Sequence, residues 1–212
     1  MVPPIGELLS VNVARSRLIL LNGQPVKTGI YKAPVDARVT LADDHVEGDQ
    51  QADRSVHGGP DKAVYAYASE DYAWWAGELE RETEPGLFGE NLTTAGIDVS
   101  GALVGERWRI GGALLEVSEP RQPCSKLGVK MGDPRFLKRF AKGLRPGAYL
   151  RIVEPGEIGA GDPIEIVQRP AHDVSVALMT RALYGERELA PLLLEAPALT
   201  PTWRQWAESK AD

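Results

Sequence analysis

The chain has 212 residues, 43% of them hydrophobic and 25% charged, which is the balance of an ordinary globular protein with a substantial core. Its net charge of −6 argues against general nucleic-acid binding, and its single cysteine excludes an intramolecular disulfide. Because it also lacks a secretion signal at its amino terminus and any run of roughly 20 apolar residues, we expect a cytoplasmic protein without a membrane or nucleic-acid partner.

Short strands separated by Gly, Pro and Asp turns dominate residues 1–169. This spacing predicts a mainly β fold, a sandwich or a barrel, rather than alternating strands and helices. A Gly-Gly pair between strands 107–110 and 113–117 allows the positive φ angles of a tight hairpin. Two further strands, 149–153 and 164–167, are separated by turn residues, and we expect them to lie next to each other.

Two helices are predicted within this β-rich region. Ser69 is a suitable N-cap for the first helix, which has one apolar face. Asp133 and Pro134 form a cap and first-turn proline for the second. Phe136 and Phe140 belong to an apolar stripe of this helix, and basic side chains surround the stripe.

The pattern changes after residue 169 to three short helical segments, roughly 175–184, 186–195 and 200–210. We therefore divide the chain into a β domain, 1–169, and a helical appendage, 170–212. The appendage carries four basic and six acidic side chains, which is the wrong sign of charge for a DNA-binding helix-turn-helix. We expect it to serve in packing or in formation of a homodimer.

Cys124 lies at the edge of a basic stretch in this acidic chain. From Arg121 to Arg151 there are nine Lys or Arg residues and one acid, Asp133, so the stretch carries +8 and the rest of the chain −14. A thiol beside positive charge is held partly as thiolate, which attacks electrophiles and binds soft metals. The basic field would attract an anionic ligand. The alternative is a buried structural cysteine, and the local residues do not decide between the two.

Two further polar segments are candidates for ligand contact. His57 and Lys62 flank a Gly-Gly-Pro-Asp sequence whose amides can form an anion-binding concavity; the alternative is a tight turn leading into a strand at 63–67. Asn91 can present its amide to a heterocycle or organise its own turn. The acidic segment around His45 lacks calcium-loop spacing, and we interpret it as a solvated loop.

Other catalytic classes have weak support. Cys124, His57 and Asp61 would suit a cysteine hydrolase if they met in space, but no local sequence marks this cysteine as a nucleophile. The chain has no phosphate-binding loop, no dinucleotide fingerprint and no Cys/His spacing typical of zinc.

Five ordered motifs resemble the MOSC domain, named for the carboxy-terminal region of molybdenum cofactor sulfurases. They are VEGDQQAD, VHGGPDKAVY, FGENLT, VSEPRQPCSKL and GAYLRIVEPGEIGAGDPIEIV. The helical appendage resembles the bacterial branch that includes the N-hydroxylaminopurine resistance protein, so the resemblance covers nearly the whole chain. It implies a β-barrel with peripheral helices, plus a small three-helix segment at the carboxyl end.

The resemblance also implies a molybdopterin-type molybdenum cofactor. Cys124 matches the motif cysteine that serves as a sulfur ligand to molybdenum or as a sulfur carrier. Arg121 first, and Lys126 second, would hold the phosphate of the cofactor, for which an Arg fork is well suited. Three further matching positions would line the same pocket and contact cofactor or substrate: His57, Lys62 and Asn91.

For this branch the implied activity is reduction of N-hydroxylated compounds such as hydroxylaminopurine, with protons arriving through His57 or water. One cysteine cannot hold an iron–sulfur cluster, so electrons would come from a separate donor protein. The competing hypothesis is a persulfide carrier or cofactor-delivery protein without reductase turnover. A third is a structural module in which Cys124→Ser changes only stability. Pyridoxal phosphate has also been suggested for this family, and Lys62 would be its imine-forming lysine.

Overall fold

The computed structural model describes residues 5–52 and 58–210. Within those residues no helix combines the length and the apolar character needed to cross a bilayer. The strands are β1 (Gly6–Val13), β2 (Arg17–Leu21), β3 (Gln24–Thr28), β4 (Ala33–Val35), β5 (Val39–Ala42), β6 (His45–Val46), β7 (Val64–Ala68), β8 (Leu92–Ala95), β9 (Arg107–Ile110), β10 (Ala113–Pro120), β11 (Ala148–Glu154), β12 (Gly156–Ile158) and β13 (Pro163–Gln168).

Helical segments lie outside these strands. They are a 3-10 turn (Pro60–Lys62), α1 (Ser69–Leu79), α2 (Ser125–Met131), α3 (Phe136–Gly143), α4 (Val176–Tyr184), a 3-10 segment (Arg187–Glu195) and α5 (Pro201–Glu208).

Seven strands close into a barrel in the order β13-β9-β10-β11-β7-β8-β1. Closure comes from antiparallel pairing of β1 with β13, with Gly6 opposite Ile164. Only β7 and β8 pair in parallel among these seven, and β4 adds to the far side of β1. The prediction of a mainly β-barrel protein with peripheral helices is confirmed.

Neighbouring strands were predicted with mixed success. The 107–110 and 113–117 hairpin is confirmed, with Ile110 opposite Ala113 and φ of +53° at Gly111. The prediction that β11 and β13 are neighbours is wrong, because β11 lies between β10 and β7, whereas β13 lies between β9 and β1. Barrel closure brings β13 to the first strand, and adjacency along the chain does not reveal that closure.

Helix boundaries differ slightly from the predictions. Helix α1 begins at Ser69, and the preceding Ala68 is the N-cap, so the predicted serine cap is wrong. Asp133 and Pro134 form a turn just before α3, in which an Asp133 carboxylate oxygen accepts from the amide of Arg135. Helix α2, directly after Cys124, was not predicted at all, because seven residues carry too short a periodic signal.

The described residues form three apolar clusters. The first fills the barrel, and the second is an aromatic layer where α1, α2 and α3 pack on β7, with Trp75, Phe88 and Phe136 fully buried. The third holds the carboxy-terminal segments, which are helical as predicted, although the middle one is 3-10 in form and contains Pro191. This appendage contacts the barrel through a hydrogen bond from the Thr200 hydroxyl to Glu119.

Candidate functional site

A cavity with about 590 Å³ of empty space, part of it open to solvent, lies at the side of the barrel where β3, β7, β11 and the segment before α2 meet. Five of the six predicted site residues line it together, and the sixth, His57, lies outside the described residues. The five are Lys62, Asn91, Arg121, Cys124 and Lys126.

Cys124 is the N-cap residue of α2 and has extended backbone angles, φ −120° and ψ 162°. Strand β10 ends at Pro120, and the four residues that follow turn the chain into α2 so that the cysteine reaches the cavity wall. Its side chain is half-buried rather than sealed in the core. A guanidinium nitrogen of Arg121, Nη2, lies 3.8 Å from Sγ, and positive charge at this distance stabilises a thiolate.

Arg121 is a buried cation, only 5% exposed. Its Nη1 donates to the main-chain oxygen of Gln122, 3.1 Å away, and its guanidinium lies 5.7 Å from the ring centres of both Tyr65 and Phe140. Within the described part of the chain no carboxylate pairs with it. A buried guanidinium that lacks a carboxylate and faces a cavity is suited to an anionic ligand.

The described lining residues carry a net positive charge. Lys32, Lys62, Arg121 and Lys126 contribute cations, whereas Asp49 is the one carboxylate among the described lining residues. Lys62 lines the cavity and also forms an ion pair with Glu119, with 3.4 Å between its Nζ and Oε1 of the glutamate. Burial raises the pKa of Glu119.

The basic side chains of residues 121–151 have two different roles. Arg121 and Lys126 reach the cavity, while other members of the stretch bind carboxylates or main-chain oxygens elsewhere. Examples are Arg145 with Asp71, Arg151 with Asp61 and Glu116, and Lys130 with the main-chain oxygens of Ile30 and Gly86.

The pairing of Asp61 weighs against the cysteine-hydrolase hypothesis. Its Oδ1 accepts from Nε of Arg151 at 2.6 Å, and Asp61 is not among the residues that line the cavity with Cys124. A carboxylate held by an arginine away from the thiol is poorly placed to orient a catalytic base.

Asn91 lines the cavity but uses its amide within the protein. Its Oδ1 accepts from the amide of Tyr65 at 3.2 Å, and its Nδ2 donates to Oδ2 of Asp49 at 3.1 Å and to the main-chain oxygen of Asn12 at 3.3 Å. The side chain therefore ties β1, β7 and the segment with Asp49 together, which goes beyond the organisation of its own turn.

Asp49 and Lys32 form a buried pair that sequence reasoning missed. Their side chains are 3% and 9% exposed, and burial lowers the pKa of Lys32 while Asp49 counteracts this shift. Asp49 also accepts from the amide of Ala14 at 2.9 Å. The interpretation of its segment as a solvated loop is therefore wrong for Asp49, and a run of acids gives no signal of which member is buried.

Tyr149 and Tyr65 are further lining residues that the sequence did not single out. Their rings lie 5.2 Å apart, and the Tyr65 hydroxyl donates to the main-chain oxygen of Pro146. The Tyr149 hydroxyl makes no hydrogen bond with any residue that the structure describes. Burial raises the pKa of Tyr149 to about 12, so this hydroxyl keeps its proton and can donate to a ligand at neutral pH.

Glu90, next to Asn91, organises the loop that carries both. It is fully buried and accepts from the hydroxyls of Tyr72 and Thr93 and from the amides of Gly86 and Phe88. Nothing in the sequence distinguishes a buried glutamate from an exposed one between a glycine and an asparagine.

We expect Glu90→Gln to destabilise the protein by about 2–4 kcal/mol, because a neutral amide cannot accept from four donors and the unmet donors stay buried. Chemical denaturation measures this change. Glu78→Gln, on the exposed face of α1, is the matched control and should change the free energy of unfolding by less than about 0.5 kcal/mol. Equal stability of the two variants would contradict the role given to Glu90.

Comparison with known proteins relates this fold and site to a family. The model of the MOSC domain matches residues 53–165. The protein YflK of Bacillus subtilis is 35% identical over 209 residues, which cover 97% of this chain and 95% of YflK. A protein of Gibberella moniliformis named "Reductase" is 35% identical over 204 residues, but these span 94% of this chain and only 36% of the fungal protein. The crystal structure of YiiM from Geobacillus stearothermophilus superposes with a TM-score of 0.80 at 30% identity, covering 98% of this chain and all of YiiM.

Proposed function

Because the chain belongs to the MOSC domain family, we propose that its cavity binds a molybdopterin-type molybdenum cofactor and that the loaded protein reduces N-hydroxylated compounds. The family relationship indicates a function connected with molybdenum cofactor. The observation that carries the specific proposal is Arg121, a buried guanidinium without a carboxylate partner in the described residues, 3.8 Å from the Cys124 thiol.

The residues on the wall fit such a cofactor in two respects. The phosphate of the cofactor needs cations, and the described lining residues include four, of which Lys32 is paired with Asp49 and Lys62 lies 3.4 Å from Glu119. Its metal is soft enough to accept a thiolate, and the half-buried Cys124 presents sulfur to the same space. We assign Arg121 and Lys126 to the phosphate and Cys124 to the metal.

When bound, the cofactor would supply the two-electron chemistry. The reaction consumes two electrons and two protons, breaks the N–O bond and yields the amine and water. The protein would hold the reactants: Arg121 fixes the anionic end, Cys124 fixes the metal, and the neutral Tyr149 hydroxyl donates a hydrogen bond to the substrate oxygen as that bond breaks. We keep His57 and water as candidate proton sources.

The electrons would come from another protein, since one cysteine cannot ligate an iron–sulfur cluster and no dinucleotide fingerprint is present in the sequence. The name of the fungal relative, "Reductase", supports the reductase part of the proposal.

The test is turnover by protein produced in a host that makes molybdenum cofactor. With reduced methyl viologen as a chemical electron donor, we expect 6-hydroxylaminopurine to yield adenine, with two viologens oxidised per adenine formed. Chromatography of the purines and the absorbance of the viologen measure both quantities. Metal-loaded protein that leaves the substrate unchanged would overturn the reductase proposal, and a persulfide mass increase on Cys124 would then support the sulfur-carrier alternative.

A further inference from the structure

The hairpin of β2 and β3 stands apart from the barrel as a separate two-stranded sheet. In its register Leu18 lies opposite Lys27, and Leu20 lies opposite Pro25, so these four side chains share one face. All four are exposed, and each of the two leucines is 69% exposed. On the other face, Ile19, Leu21 and Val26 are partly covered by the protein. The outward face is therefore an apolar patch that carries a cation.

The sequence segment that contains this hairpin carries charged residues of one sign. No acidic residue occurs between Glu7 and Asp36, a long interval in a chain with 30 acids. Four cations occur in that interval, and Arg17, at the start of β2, stacks on the ring of Tyr31 with 3.2 Å between its guanidinium carbon and the ring centre. The four are Arg15, Arg17, Lys27 and Lys32, of which Lys32 is buried and paired with Asp49.

The hairpin also borders the candidate site. Thr28, the last residue of β3, lines the cavity together with the two residues that follow it. Helix α2, which begins directly after Cys124, packs against β2. A protein that covered the outward face of the hairpin would therefore lie at the rim of the cavity that holds Cys124.

From these observations we propose that the outward face of the β2–β3 hairpin, Leu18, Leu20, Pro25 and Lys27, docks an electron-donor protein with an acidic surface. This inference rests on the proposed function, which requires external electrons. An apolar centre with a charged rim is the composition of a transient protein interface, and complementary charge speeds and orients the encounter. In the proposed reaction two one-electron donors would be oxidised for each N-hydroxylated molecule reduced, with two protons taken up and one water released.

The test compares two electron donors acting on the same loaded protein. Reduced methyl viologen needs no docking surface, whereas a reduced acidic [2Fe–2S] ferredoxin does. We expect the double variant Leu18→Ser, Leu20→Ser and the variant Lys27→Glu to lower the ferredoxin-driven rate at least about tenfold, with the viologen-driven rate unchanged. Raising the salt concentration should slow only the ferredoxin-driven reaction of the wild type.

Leu192→Ser is the matched control, because Leu192 is 45% exposed on the carboxy-terminal appendage. It should leave both rates unchanged. Equal ferredoxin-driven rates in the wild type and the hairpin variants, or no ferredoxin-driven turnover by a wild type that is active with viologen, would overturn the proposal. A wild-type dimer that the leucine double variant converts to a monomer would instead assign this face to a second copy of the chain. If viologen drives no turnover, the reductase proposal fails, and calorimetric binding of ferredoxin to the wild type and variants still tests the docking surface.

Discussion

Replacing Cys124 with serine is expected to lower reductive turnover at least about 100-fold and to reduce the molybdenum held per chain. Loss of groups that merely support metal ligands commonly costs 10- to 100-fold, and loss of the ligand itself should cost more. The physical reason is that a hydroxyl is harder and far less acidic than a thiol, so it is a poor ligand for a metal that prefers sulfur. Elemental analysis and the viologen assay measure the two effects.

The fold should survive this change, because Cys124 is half-buried at the cavity wall and lies outside the barrel core. We expect a shift of less than about 1 kcal/mol in the free energy of unfolding. Ser125→Ala, one position further on, is the control for disturbance of the start of α2. If Cys124→Ser kept its metal and full turnover, the ligand assignment would be wrong, and the thiol would be left with a structural role.

The second large effect is expected at Arg121, where substitution should weaken cofactor binding without lowering the stability of the fold. Arg121→Met removes the fork that we assign to the cofactor phosphate, and the pterin retained per chain should fall about 10- to 100-fold, as expected for loss of charge-assisted hydrogen bonds. Arg121→Lys keeps the charge but loses the two parallel hydrogen bonds of the guanidinium. Its pterin content should therefore lie between those of the wild type and Arg121→Met. Fluorescence of the oxidised pterin measures retention.

The free energy of unfolding of the cofactor-free protein should stay the same or rise in Arg121→Met. Burial of a cation that no carboxylate of the described residues pairs with opposes folding, and an apolar side chain of similar length packs against Tyr65 and Phe140 without that cost. Arg135→Met is the control, because its side chain is 89% exposed on the outer surface. A strongly destabilised Arg121→Met that retained its pterin would show that Arg121 supports the fold rather than the ligand.

Much of the local structure could be predicted from the sequence, but the strand pairing that closes the barrel could not. Turn residues and alternating apolar positions identified the β9–β10 hairpin, because those signals are local. The pairing of β13 with β1 joins residues more than 150 positions apart, and no local pattern carries it. The β-barrel itself was predicted through the motifs shared with a family, since strand spacing alone left a sandwich and a barrel equally open.

The candidate site was predicted in part for a similar reason. Residues with unusual chemistry, Cys124 and the cations beside it, stand out in a sequence. Asp49, Glu90 and Tyr149 do not, because their importance comes from burial and from the partners that the fold brings to them. Asn91 was selected for contact with a ligand, and the structure gives its amide partners within the protein.

Cofactor binding is tested most directly by the molybdenum and pterin content of the wild-type chain purified from a host that makes the cofactor. We expect near-stoichiometric amounts of both, because the cavity holds a buried cation for the phosphate and a thiol for the metal on one wall. A folded wild-type protein that contains neither, although other molybdenum enzymes in the same host are loaded, would contradict it.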